Sequence, residues 1–298
     1  MKQRRTKNEE RKSDAQANSE LSLFFLTFSF FVLTSSFMSS LAEHCSLVCR
    51  CFLHPPGSSA WNMAVDEALM EAAASNGVAA LRFYEWAEPT LSLGYFQAAA
   101  DRQQHPPSLA CPLVRRSSGG GAILHDREVT YSLAIPAGHL WAGDPERLYT
   151  ATHEALAAAL KSLDVTASPR GLAEQAGDAM ANRENSPPFL CFQRRAVGDL
   201  LVGETKIAGS AQRRRRGVVL QHGSVLLAAS RFAPELPGIK QLTSRPIEAD
   251  LLVRLFRTAL ADRLDMKWDD SADWTPIAQR AEILTREKFA SGAWTFRR

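Results

Sequence analysis

Between residues 80 and 227 the chain is a series of short apolar runs, each cut by glycine, proline or a charged pair and interrupted once by a segment of helical length. Runs this short, bounded by turn residues, read as strands. Residues 80–86, 91–95, 113–115 and 129–135 make the first group. Residues 199–202 and 206–208, joined at Gly203-Glu204, continue the set, followed by 218–220 and 225–227. Three segments carry helical spacing. The first lies behind Ser58 and Ser59, has Asp66 and Glu67 near its start, and should stop at Asn76-Gly77. The second covers residues 146–163 after Asp144-Pro145, and the third residues 247–264. Strands and helices alternate irregularly, with tight hairpins as well as crossovers. That predicts an α/β (α+β) class with a mixed sheet, not a doubly wound parallel one.

Residues 168–188 fit neither period. They are polar, contain Pro, Gly and Asn, and read as a long loop of the kind that is often functional, ending just before Cys191. With 45% hydrophobic and 22% charged residues, the chain can bury a core, while a net charge of +3 is too mild to argue for nucleic acid. The five cysteines, Cys45, Cys49, Cys51, Cys111 and Cys191, offer no paired CxxC spacing, so neither a zinc site nor a disulfide framework is expected, and no metal. A reducing compartment is the simpler setting. Residues 1–44 stand apart. Lys2, Arg4, Arg5, Lys7, Arg11 and Lys12 precede an uncharged run over residues 21–42. This is either a signal or membrane anchor, or a stretch upstream of a true start at Met38. The second reading is preferred, giving a cytoplasmic protein with its main domain over residues 45–275 and a tail over residues 276–298.

The sharpest local signal is Arg115-Arg116-Ser117-Ser118-Gly119-Gly120-Gly121-Ala122, with His125 close behind. Three glycines after a strand leave backbone N–H groups free to approach a carbonyl or phosphate oxygen, and Arg115 and Arg116 could add charge. A flexible turn or a β-bulge would use the same residues. No Gly-Lys-Ser/Thr follows, which excludes a P-loop, and no helical pattern opens after it, which excludes a dinucleotide fingerprint.

In order along the chain, several stretches resemble the lipoate-protein ligase and octanoyltransferase family, which is structurally akin to biotin ligases. They are Trp61-Asn62-Met63-Ala64-Val65-Asp66-Glu67, Leu91-Ser92-Leu93-Gly94-Tyr95-Phe96-Gln97, the glycine segment through His125, and Val129-Thr130-Tyr131-Ser132. Lys206-Ile207-Ala208-Gly209-Ser210-Ala211-Gln212 and Gln221-His222-Gly223-Ser224 complete the set. The resemblance implies a largely antiparallel sheet flanked by helices, and Lys206 as the essential lysine. The small residues Gly209, Ser210 and Ala211 would leave room for a substrate chain beside it. Cys191 is similar in placement to the nucleophile of the transferase branch whose cysteine precedes the lysine.

That branch moves an octanoyl group from the phosphopantetheine arm of acyl carrier protein to a lysine of a lipoyl domain or H-type protein. It needs no cofactor beyond the donor's own arm. A thiolate beside a cation suits such a thioester relay. The family also contains ATP-dependent lipoate ligases and protein-to-protein amidotransferases, and a membrane-tethered binding protein on the same fold is the remaining alternative. His125 and His222, the latter followed by Gly223, either bind a substrate oxygen or satisfy buried polar groups. The run Arg213, Arg214, Arg215 and Arg216 is either a solvated turn or a dock for an acidic protein.

Overall fold

The runs resolve into eleven strands: β1 (Leu47–Leu53), β2 (Ala79–Tyr84), β3 (Thr90–Leu93), β4 (Leu113–Arg115), β5 (Ile123–His125), β6 (Glu128–Ile135), β7 (Ser168–Pro169), β8 (Leu200–Val202), β9 (Thr205–Arg215), β10 (Val218–Leu226) and β11 (Met266–Trp268). The helices are α1 (Ser59–Asn76), α2 (Leu140–Gly143), α3 (Pro145–Lys161), α4 (Ile239–Thr243), α5 (Ala249–Leu264), α6 (Thr275–Leu284) and α7 (Gly292–Thr295). The structure, a computed structural model, describes residues 46–171, 187–269, 271 and 273–298, and every count here is of those residues. Most of the loop read over 168–188, the apolar run over 21–42 and Cys45 lie outside them. Among the described residues no helix is long and apolar enough to cross a membrane.

Eight strands form one sheet in the order β11-β1-β2-β6-β10-β9-β8-β7, and β4-β3-β5 form a small second one. β1 pairs in parallel with β2 and β11, and every other junction of the large sheet is antiparallel. The sheet is therefore mixed and largely antiparallel, as expected.

Alternation along the strands divides the interior. Leu81 and Phe83 of β2 and Tyr131 and Leu133 of β6 face a core filled by Leu148, Leu156 and Leu160 of α3 and Leu252, Phe256 and Leu260 of α5. Ala80 and Tyr84 face the other way, against Met63, Ala64, Ala68 and Leu69 of α1 and Ile277 and Ala281 of α6. Each large side chain so buried contributes about 1.5–3 kcal/mol. Ser58 caps α1 by accepting from the Trp61 amide, and Gly77, at φ 69°, ends it in the left-handed conformation that glycine adopts without cost.

Four features depart from the sequence reading. Residues 276–298 are not a tail: α6, a π-helical turn at Thr285–Phe289 and α7 pack onto the domain, and Phe289 is buried with the α1 cluster. Asp66 and Glu67 sit mid-helix and buried, the first bonded to Arg82, Tyr84 and Ser132 of the sheet and the second to Ser117 and Lys288, and do not serve the helix start. β1 is hard to see in sequence because Arg50 interrupts its apolar run, yet it has parallel neighbours on both sides. β9 and β10 are long, continuous strands through Gly209-Ser210-Ala211-Gln212 and Gln221-His222-Gly223-Ser224, which lack apolar alternation but are paired residue by residue. Their hairpin turns at Arg216-Gly217, φ 52° and 80°, the two positive values that a tight two-residue turn requires.

Candidate functional site

The small sheet exists to hold the glycine loop. β4 leads into it and β5 leads out. Arg116, although read as a source of charge for a ligand, is fully buried and turned inward. Its guanidinium donates to the Ser92 carbonyl at 3.0 Å and hydroxyl at 2.7 Å, and to the Gly119 and Gly121 carbonyls at 3.0 and 2.9 Å. Arg115 is spent in the same way, on the carbonyls of Gly94, Gln97 and Thr295. Neither arginine is available to a substrate. With the Gly119 and Gly121 carbonyls held by Arg116, the loop's N–H groups remain to meet a ligand. Gly94 is required here, because a Cβ would collide with the Gly120 carbonyl.

His125 also turns out to be internal. It stacks on Trp86 at 3.9 Å, its Nδ1 lies 2.5 Å from Glu128 Oε1 and its Nε2 is 2.7 Å from Ser92 Oγ. Burial pushes its pKa down. Its influence on the loop runs through Ser92 and Arg116. Ser117 donates to Glu67 at 2.7 Å. Burial opposes the Glu67 charge, but hydrogen bonds from Lys288 and Ser117 outweigh it and hold that carboxyl below the usual range. Ser118 lies 2.5 Å from His222 Nε2, and His222 Nδ1 is 3.4 Å from Asp66 Oδ2. The Asp66 carboxylate already accepts from Arg82, Tyr84 and Ser132. The trio therefore anchors Ser118 more than it activates it.

Cys191 is seated where the glycine loop ends. The Ala122 amide donates to the Phe189 carbonyl at 3.0 Å and the Cys191 amide to the Ala122 carbonyl at 2.7 Å, a short parallel bridge that fixes the half-buried thiol beside Gly121. A Cβ on Gly121 would lie 3.1 Å from Cys191 Cα. Lys206 arrives from the opposite side on β9. Its Nζ is 3.8 Å from Cys191 Sγ, 3.5 Å from the Cys191 carbonyl and 2.8 Å from Asp199 Oδ2. The lysine and aspartate side chains are 4% and 1% exposed, so the pair is shielded from solvent. Gly209 makes room for it: a Cβ there would stand 2.5 Å from Lys206 Cε and 2.7 Å from Nζ.

A polar network stands behind this pair. Asp199 also accepts from the Tyr149 hydroxyl at 2.7 Å and the Ala196 amide at 2.6 Å. Burial, and then the Asp199 charge, push the Tyr149 hydroxyl far up, so it stays a donor. Burial lowers His153 to about 4, leaving it neutral. Its Nδ1 then donates to the Gly198 carbonyl at 2.6 Å and its Nε2 accepts from Ser210 Oγ at 2.6 Å. Ser210 in turn accepts from Tyr131, at 2.5 Å. The Ser210 hydroxyl, read as a substrate contact, thus points into this network. Gly223 opposite it is needed for closeness, since a Cβ would meet Ser210 Oγ at 2.5 Å. Ala211, paired with His222 across the hairpin, is half-buried.

The fold thus brings Cys191, Lys206, Gly121 and Gly209 together and places Arg115, Arg116, His125 and Ser210 in support. Sequence reasoning passed over Asp199, Tyr149 and His153. A signal existed for the first: reading β8 and β9 as a hairpin through Gly203 puts Asp199 beside the strand that carries Lys206 and Gly209.

Residues 58–235 match the family model of the lipoyl protein ligase A/B catalytic domain. The chain is 31% identical over 266 residues to octanoyltransferase LipM of Brevibacillus brevis, covering 81% of this chain and 96% of that protein. It is 32% identical over 267 residues to octanoyltransferase LipM of Kyrpidia tusciae, with the same coverage. Among solved structures it is similar to a putative lipoate protein ligase, Ta0514, from T. acidophilum with bound lipoic acid. The TM-score is 0.66 at 21% identity, covering 84% of this chain and all of that one. A lipoate-protein ligase A bound with ATP superposes at a TM-score of 0.64 and 20% identity, over 85% and 99% of the two chains. At such identities these two structures speak for the fold.

Proposed function

The chain belongs to the lipoyl protein ligase A/B catalytic-domain family and is an acyltransferase that moves octanoyl groups; we propose that it takes them from acyl carrier protein and delivers them to a lysine of a lipoyl domain or H-type protein through a thioester on Cys191. The observation that carries this reading is the Lys206 ammonium 3.8 Å from the Cys191 sulfur, with a buried carboxylate on its other side. Paired with that ammonium, the thiolate is the nucleophile.

The proton count closes over the cycle. In the first half the Cys191 thiolate attacks the carbonyl of the octanoyl thioester. A carbon–sulfur bond forms to Cys191, the bond to the pantetheine sulfur breaks, and Lys206 gives its proton to the departing thiolate. The acyl-enzyme is left with a neutral Lys206. In the second half the acceptor amine attacks that thioester, a carbon–nitrogen bond forms and Cys191 leaves as thiolate. The amine's surplus proton returns to Lys206, which restores the starting ion pair. The N–H groups of the glycine loop, beside Cys191, are suited to the oxyanion of each tetrahedral intermediate. No cofactor is needed, since both steps exchange acyl groups of comparable energy or run downhill to an amide. We assign the enzyme to the cytoplasm, because its thiol must stay reduced and its carrier and acceptor are cytosolic proteins.

The test is mass spectrometry of the full chain incubated with octanoyl-acyl carrier protein in the absence of ATP, beside Cys191→Ser. The expected result is an octanoyl adduct on Cys191, released by hydroxylamine and chased onto a lipoyl domain. Acyl transfer seen only with ATP and free octanoic acid would instead make the chain a ligase.

A further inference from the structure

The outer rim of the glycine loop is crowded with arginines that, among the described residues, make no direct ion pair. The Arg297 guanidinium lies 4.3 Å from the Tyr95 ring centre and donates to the Tyr95 hydroxyl at 3.0 Å. Arg213 approaches the same ring at 5.6 Å, and Arg298 lies 5.4 Å from the ring of Phe96, which is 67% exposed. Arg213 also lines a shallow groove with Arg216 at the tip of the β9–β10 hairpin, together with Glu67 and Glu71. Those carboxylates are already taken, Glu67 by Lys288 at 2.5 Å and Glu71 by Arg280 at 2.6 Å. Among the described residues no carboxylate pairs with Arg213, Arg216, Arg297 or Arg298. The crowding reaches the interior: burial first, then Arg297 and Arg298, hold the Arg115 guanidinium below its usual range. Such self-repulsion is tolerated where an anion is to be bound.

The cluster stands at the entrance to the chemistry. Arg213 donates to the Ser117 carbonyl at 2.6 Å, and Ser117 opens the loop whose far end, Gly121, touches Cys191. Four residue steps span at most about 14 Å.

We propose that this rim of arginines around Tyr95 and Phe96 is the docking surface of the acyl donor, binding the phosphodiester of its pantetheine arm and the acidic face of the carrier protein behind it. This rests on the reading that the donor is carrier-borne. The planar fork of a guanidinium fits a phosphate through paired hydrogen bonds, and the exposed aromatic faces give the arm an apolar bed. The phosphodiester separates donor from acceptor. The acceptor brings an amine that is a cation until it is deprotonated, which these arginines repel, whereas the donor's arm is an anion.

The experiment compares the rate of Cys191 octanoylation by octanoyl-acyl carrier protein with that by octanoyl-N-acetylcysteamine, a small uncharged thioester, in the full chain and in an Arg216→Ser/Arg297→Ser/Arg298→Ser variant. The carrier-to-small-thioester ratio should fall about ten-fold or more, and the steep salt dependence of the carrier reaction should flatten. A structural lesion lowers both rates together and leaves the ratio in place, and an unchanged ratio overturns the proposal. So does a defect confined to transfer from acylated Cys191 to a lipoyl domain, which would give the surface to the acceptor. If the unaltered chain is acylated by the small thioester but never by the carrier, the carrier-donor reading itself has failed, and this surface with it.

Discussion

Replacing Asp199 by Asn probes the catalytic pair without touching either member of it. The carboxylate accepts from the Lys206 ammonium, the Tyr149 hydroxyl and the Ala196 amide, three donors around two oxygens. An amide keeps one acceptor oxygen and turns the other position into a donor, so one of the three must face N–H with N–H. The charge is lost as well. At 2.8 Å two unit charges attract by about 6 kcal/mol at an effective dielectric of ~20, and removing one partner of a buried pair costs a net ~3–5 kcal/mol. Since Lys206 is held by Asp199 on one side and reaches Cys191 on the other, its ammonium should leave its position. A displacement near 1 Å costs about 100-fold in rate. The expected outcome is a folded but less stable protein whose Cys191 octanoylation falls by about two orders of magnitude. Its alkylation by iodoacetamide should fall in parallel, as it should in Lys206→Met. A merely structural role for Asp199 would lower stability and leave thiol reactivity per folded molecule unchanged. An Asp199→Asn protein that folds and keeps wild-type thiol reactivity refutes the reasoning.

Gly209→Ala should act through sterics, since the new Cβ would stand 2.5 Å from Lys206 Cε and 2.9 Å from Asp199 Oδ1. Octanoylation should drop about 100-fold with little change in circular dichroism, and a near-normal rate would show that the lysine is not held where described. His153, buried and neutral with its pKa lowered to about 4 from 6.5, makes stability depend on pH. The unfolded chain takes up a proton near pH 6.5 that the folded chain refuses, so stability is intact above pH 6.5 and falls between there and pH 4, by up to about 3 kcal/mol from this residue. Urea unfolding at pH 7 and pH 5 should show a smaller loss in His153→Gln than in wild type, and identical losses would contradict the assignment. Arg115→Ala removes the guanidinium that the carbonyls of Gln97 and Thr295 accept from, and one of the two donors to the Gly94 carbonyl. It should cost about 3 kcal/mol or more, and deleting residues 292–298 should reproduce much of that loss in a thermal melt.

How far the fold could be read beforehand follows from what each element uses to hold itself. α1 and α3 are bounded by caps that sequence displays, Ser58 with Gly77 and Asp144 with Pro145, and their limits were legible to within a residue or two. β2, β3 and β6 present apolar runs and were equally plain. β9 and β10 were not, because their middle residues are chosen for the site. Gly209, Ser210, Gln221, His222 and Gly223 are small or polar, and strand pairing alone keeps them in the sheet. Residues 276–298 read as a tail in sequence because so short a segment forms no domain of its own. They need not, since Trp294 donates to the Arg115 carbonyl and Thr295 accepts from the Arg115 guanidinium.

The candidate site divides along the same line. A motif identifies residue types in order, and it supplied Cys191, Lys206 and the glycine loop, but order says nothing about direction. Arg115 and Arg116 are charged residues ahead of three glycines, and from sequence they point as well outward to a phosphate as inward to carbonyls. What turns them inward is the loop itself. Three glycines in succession have carbonyls but no side chains to cover them, and where the loop turns inward, at half-buried Gly119 and buried Gly121, those oxygens must be satisfied from within the protein. Arg116 supplies that satisfaction to the Gly119 and Gly121 carbonyls with one arm of its fork while the other holds Ser92, and the anion-binding task falls to arginines farther out. The same argument explains Asp199. A lysine 5% exposed needs a counter-charge near it, so the fold that buries Lys206 must deliver a carboxylate to it, and Asp199, one residue ahead of β8 in the hairpin with β9, is the one it delivers.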